Sequence, residues 1–196
     1  MKLMKMKIIV IALLLATSVA VFSAQTIAYF TDGGESNPVI TMVGANLSGE
    51  LIEETVLTEG ADPIIGPTSV RIVPGGRVMK SVSVKNTGDM RMYLRLTVEK
   101  EFTLSEENAG MPIDPSLVGF EIDTTHWEER DGFYYYKTPI SENETTAPLF
   151  TEVSFSSQMD NTYTNSTITF HIKAYATQVP GNYASVFEAH GWPAVQ

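Results

Sequence analysis

The side chains able to do chemistry are few and scattered. Three histidines occur, His126, His171 and His190, and there is no cysteine, which excludes thiolate metal ligation, a cysteine nucleophile and a disulfide framework. The one local grouping of imidazole and carboxylate is His126-Trp127-Glu128-Glu129. Arg130 follows where an inverted zinc motif requires a second histidine, and no His-Glu-x-x-His occurs. The grouping therefore reads as packing in a surface hairpin. Strand alternation turns His171 away from the face of Phe170 and Ile172, and His190 lies near the C-terminal end.

Acidic groupings at Glu53-Glu54, Glu106-Glu107, Glu128-Glu129 with Asp131, and Glu142 with Glu144 offer oxygen ligands of the kind Ca²⁺ takes. None has the spaced Asp/Asn and Gly pattern of a dedicated loop, so they read as solvated charge, with Ca²⁺ the only cofactor they would attract. Gly33-Gly34 and Gly75-Gly76 lack a following helix and lysine and are not phosphate cradles. The aromatic run Phe133 to Tyr136 would bury two rings and expose two on a strand, as core plus ordinary surface or as a contact face for a polymer. Asn46, Asn143 and Asn165 fit glycosylation sequons, which carry no weight in a bacterial setting. No catalytic, cofactor-binding or metal residue is assigned.

What must position these side chains is a strand-rich domain behind an export leader. Lys2, Lys5 and Lys7 precede the uncharged run Ile8 to Phe22, and small residues follow at Ser23, Ala24, Thr26 and Ala28. This is the order of a signal peptide, residues 1–28, with cleavage between Ala28 and Tyr29 preferred over a cut after Ala24. An uncharged run of 15 residues falls short of the roughly 20 that cross a bilayer. Without the three leader lysines the chain keeps 10 basic and 23 acidic side chains, a charge of -13. Such a balance repels phosphate backbones and anionic lipid, so nucleic acid is not an expected partner. The remaining residues, about 170, suffice for one domain with a hydrophobic core.

Tyr29 to Pro38 is polar, with Gly33-Gly34 and Asn37-Pro38, and is expected to be an extended N-terminal segment. Strands are expected over Val39 to Val43, Leu47 to Glu54, Val70 to Val73, Val78 to Asn86, Met92 to Val98, Val118 to Ile122, Trp127 to Arg130, Phe133 to Lys137, Pro148 to Phe155 and around Ile168 to Ala176. Lys80 is the exception on the apolar face of its strand. Pro74-Gly75-Gly76, Asn86-Thr87-Gly88-Asp89 and Asp131-Gly132 are turn signals, the last two read as hairpins. Thr58 to Thr68 and Leu104 to Pro115 read as loops, and Tyr183, Val186, Phe187 and His190 as one face of a short terminal helix. Eight to ten short strands with little helix imply an all-β, antiparallel sandwich, jelly roll or immunoglobulin-like, over residues 39–196.

Several motifs carry a family likeness. Thr26-Ile27-Ala28-Tyr29-Phe30-Thr31-Asp32 resembles the junction cut by the SipW-type signal peptidase. Val73-Pro74-Gly75-Gly76, Val82 to Gly88 and Arg91 to Leu96 follow in order and spacing, and Trp127, Asp131 to Lys137 and Thr146 to Phe150 form a third block. The chain thus resembles the TasA and camelysin (CalY) family of exported biofilm-matrix proteins. That resemblance implies a jelly roll secreted to the surface or matrix of a Gram-positive bacterium, polymerising head to tail into fibres. It also implies donor-strand complementation, with Tyr29, Phe30, Val39, Ile40 and Met42 as donor residues released by the export peptidase, and with self and other matrix components as partners. The expected role is structural rather than enzymatic. A surface adhesin or binding module on the same fold, and a camelysin-like metallopeptidase, are the alternatives.

Overall fold

The computed structural model describes residues 39–43, 47–57, 62, 64–66, 68–179 and 185–194; the expected leader, Tyr29 to Pro38 and Tyr183 lie outside them. Among the described residues eleven strands form: β1 (Val39–Val43), β2 (Gly49–Val56), β3 (Ile64–Ile65), β4 (Val70–Arg71), β5 (Arg77–Asn86), β6 (Met92–Thr103), β7 (Val118–Phe120), β8 (Trp127–Arg130), β9 (Phe133–Tyr136), β10 (Glu152–Phe155) and β11 (Thr167–Gln178). Among the described residues helix is limited to three-residue 3-10 turns. The strands make two sheets. One runs β1-β11-β6-β9-β8, with β4 also on β11; the other runs β3-β2-β5-β10-β7. The chain is an all-β sandwich.

Alternation decides which side chains lie between the sheets. Val82 and Val84 of β5, Leu94 and Leu96 of β6, and Ile168, Phe170 and Ile172 of β11 all enter the shared core with Trp127, Leu149 and Phe150. Polar residues are buried as well. Glu53 and Thr55 of β2 occupy inward positions, and Lys80 of β5 reaches across to both, its Nζ 2.9 Å from Glu53 Oε2 and 3.2 Å from Thr55 Oγ1. A lysine on an apolar strand face is tolerated because its partners are on the neighbouring strand of the same sheet.

The Asp131-Gly132 hairpin forms as read. Asp131 (φ 52°) and Gly132 (φ 77°) are both left-handed, the requirement of the two-residue turn whose twist suits paired strands, and Trp127 to Arg130 pair with Tyr136 to Phe133. The turn at Asn86 to Asp89 is different. It carries the chain from β5 in one sheet to β6 in the other, so the hairpin expected there is a crossover. The Asn86 side chain directs it: Nδ2 donates to Met90 O (2.9 Å) and Ile140 O (3.1 Å), and Oδ1 accepts from Gly88 N (3.0 Å). Pro74-Gly75-Gly76 also joins two sheets. Gly75 is left-handed (φ 73°), and a Cβ on Gly76 would meet Val73 O at 2.9 Å.

Four other expectations change. The strand expected from Pro148 to Phe155 forms only over Glu152–Phe155. β1 pairs with β11 in parallel, so the first sheet is mixed rather than purely antiparallel. Ile64 and Ile65, inside the expected loop, form a short edge strand on β2. The terminal helix is a single 3-10 turn, Val186–Glu188, capped by the Ser185 hydroxyl. Val186 and Ala189 bury themselves against Tyr93 on the outer face of the first sheet, and that packing needs no further helical turns.

Candidate functional site

The histidines and acids do not converge. His126 Nδ1 lies 2.5 Å from Asp123 Oδ2, and both stand at the turn into β8, where Asp123 also accepts from Thr125 N. The hydrogen bond from His126 holds the Asp123 carboxyl below its ordinary range. His171 is exposed and pairs with Glu101 across β6. Among the described residues no group of three or more His, Cys, Asp or Glu is placed to hold a metal ion. An open cleft of about 600 Å³ lies between β5, β7 and β10, with Arg77, Met79, Phe120, Glu121, Asp123 and Glu152 among its walls. Three of its charged groups are already engaged: Arg77 Nη1 is 2.8 Å from Glu152 Oε1, and Asp123 is on His126.

The aromatic run also divides by face. Tyr136 is buried and Tyr134 packs against the core, while Phe133 and Tyr135 lie on the outer face. There Arg95 fills the space between the rings, its guanidinium carbon 3.9 Å from the Phe133 centroid and 4.6 Å from that of Trp192. Arg130 covers Phe187 at 3.5 Å. The protein's own cations thus occupy ring faces that an external polymer would need.

The feature that bears on the expected strand pairing is the outer edge of β11. Its other edge is paired along its whole length with β6, Thr167 against Thr103 through Gln178 against Met92. The outer edge is shared by two short strands. β4 pairs antiparallel at Thr167 and Ile168, and β1 pairs in parallel from Lys173 to Thr177. Among the described residues, Thr169 to Ile172 has no strand opposite on that edge, although Ser69 Oγ reaches Thr169 Oγ1 at 2.5 Å.

The inward residues of β11 taper along this edge. Ile168, Phe170 and Ile172 are followed by Ala174 and Ala176, and all five are buried. The parallel register sets Ile40 at Ala174 and Met42 at Ala176. Two small side chains thus end an inward row that is otherwise bulky. Backbone pairing alone holds a strand such as β1 weakly: a net hydrogen bond contributes about 1 kcal/mol, whereas ordering one residue costs about 1–2 kcal/mol.

Of the residues named as donors, Val39, Ile40 and Met42 lie in β1, on the β11 edge of their own chain. Tyr29 and Phe30, with Ala28, lie outside the described residues. A strand tethered to its slot has an effective concentration near the millimolar range, so a single chain fills its own slot first. The residues that β1 and β4 meet on this edge, Ala174 and Ala176 among them, were not paired with those strands from sequence. The paired alanines interrupting a bulky alternation were the available signal. No family model, curated protein or solved structure matches the chain.

Proposed function

We propose that the chain is a secreted, non-enzymatic structural subunit of extracellular matrix fibres, with a jelly-roll sandwich, released by cleavage between Ala28 and Tyr29. Subunits join head to tail when β1 of one copy leaves its own β11 and pairs with β11 of the next. The observation that supports this reading is the outer edge of β11, paired only in part among the described residues, where the strand Val39–Val43 lies in a parallel five-residue register that includes Ala174 and Ala176. Exchange conserves every backbone hydrogen bond while converting an intramolecular contact into an intermolecular one, so it needs only that the cis strand open. Partners in this reading are further copies of the chain, other matrix components and the export peptidase.

The absence of native cysteine gives a direct test. Neighbouring parallel strands lie about 4.8 Å apart, within the Cα separation of about 4.4–6.8 Å that a disulfide spans. Ile40→Cys and Ala174→Cys, prepared as separate proteins, are mixed and oxidised, with the double variant as a check on register. Exchange gives a disulfide-linked heterodimer from the mixture and a covalent ladder from assembling double variant. Quantitative closure within the double variant, with no heterodimer from the mixture at any concentration or pH, defeats the proposal. Polymer binding by a chain that stays monomeric would favour an adhesin, and chelator-sensitive proteolysis by clean protein a metallopeptidase.

A further inference from the structure

The pair Lys80 and Glu53 takes no part in the strand edge described above. Their side chains are 0% and 1% exposed, and the ammonium-bearing arm meets the carboxyl at 2.9 Å inside the sandwich. Thr55, directly opposite Lys80 in the β2–β5 register, supplies a second polar contact to Nζ, at 3.2 Å. Two charges taken out of water with so few partners are held at high cost. Moving one proton from nitrogen to oxygen removes both charges and leaves an amine in contact with a carboxylic acid, which are the reactants of an amide.

We propose that Lys80 and Glu53 condense into an intramolecular amide that staples β2 to β5. The Nζ lone pair attacks Glu53 Cδ. A bond forms between Nζ and Cδ, one Cδ–O bond breaks, and the departing oxygen leaves with two hydrogens as water, one from the acid and one from the amine. The remaining N–H donates to the Thr55 hydroxyl. No oxidant or further reactant enters. The strand register supplies the orientation that makes such a step effectively unimolecular, and the dry interior both favours the uncharged product and withholds the water that would reverse it. In a chain without cysteine, the bond would serve as the covalent cross-link of an exposed domain. The inference stands whether or not the chain polymerises.

The test is mass spectrometry of the folded, unvaried protein after trypsin. The expected result is a branched peptide joining Glu53 to Lys80, one water lighter than the sum of its parts, with no tryptic cut after Lys80. In Glu53→Gln the same amide forms with loss of ammonia, whereas Lys80→Arg yields only linear peptides. Recovery of the two peptides separately from unvaried protein, with Lys80 cut normally, overturns the proposal, as does a branched peptide that persists in Lys80→Arg.

Discussion

Replacing Asn86 separates the crossover from the strands it joins. The side chain is fully buried and makes three hydrogen bonds, donating to Met90 O and Ile140 O and accepting from Gly88 N. Two of the three partners have alternatives: Ile140 O also accepts from Met92 N, and Gly88 N also donates to Ser48 O. With each lost bond worth about 1 kcal/mol, and a small cavity added, Asn86→Ala is expected to destabilise by roughly 2–4 kcal/mol. For a chain of this size that is about 2–4 °C in Tm per kcal/mol.

Asn86→Asp keeps the shape but offers no donor when ionised, and sets a buried negative charge against two carbonyl oxygens. Its folded-state pKa must then lie above the unfolded value of about 3.9. The sign follows from linkage: the acid form is tolerated below the unfolded pKa, and stability is lost as pH rises toward the folded pKa, by about 1.4 kcal/mol for each pH unit separating the two values. Urea unfolding of both variants between pH 4 and pH 8 should show Asn86→Asp the weaker at neutral pH, with the gap closing toward pH 4. A gap independent of pH, or an aspartate variant as stable as the native chain at neutral pH, would refute the assigned role of the Asn86 amide.

Other consequences are simpler to measure. Gly132→Ala, at φ 77°, should cost about 1 kcal/mol, whereas Asp131→Asn should be nearly neutral because Asn tolerates the left-handed region; thermal melts compare them. Trp127→Phe removes the donor to Ala147 O and part of a fully buried ring, so a loss of about 2–3 kcal/mol is expected in urea titration. Ala174→Leu and Ala176→Leu overfill the β1 slot; each should lower stability by about 1–3 kcal/mol and reduce strand exchange in the cysteine assay. Asp114, Asp123 and Asp160 have carboxyls held below their ordinary range by hydrogen bonds from Ser116, His126 and Thr162, respectively. Their contribution is present above the unfolded pKa and is lost as pH falls through the lowered folded values, so asparagine at these positions should flatten the acid limb of a stability curve.

The periodicity of the chain was enough to identify most strands and the buried face of each. Val82 and Val84, Leu94 and Leu96, and Phe170 and Ile172 announce their faces through alternation alone, because a strand's side-chain period is a local property of its backbone. Asp131-Gly132 announced its turn for the same reason: two successive left-handed residues are a local demand, met by these residue types. Pairing is a different matter. The alternation on either side of Asn86 is the same whether the next strand returns in the same sheet or crosses to the other; the crossover is seen in the strand pairing, where the buried Asn86 amide makes three of the contacts that accompany it. Lys80 was visible as an anomaly on an apolar face, but the residue that answers it, Glu53, is 27 positions away and could be assigned only by the register of β2 on β5. Likewise Val39 to Val43 could be read as a strand, while its parallel place beside Ala174 and Ala176 depends on a neighbour more than a hundred residues distant. Local conformation is written in neighbouring residues; partnership between strands is settled by which distant surfaces bury one another, and that exists only once the chain has folded.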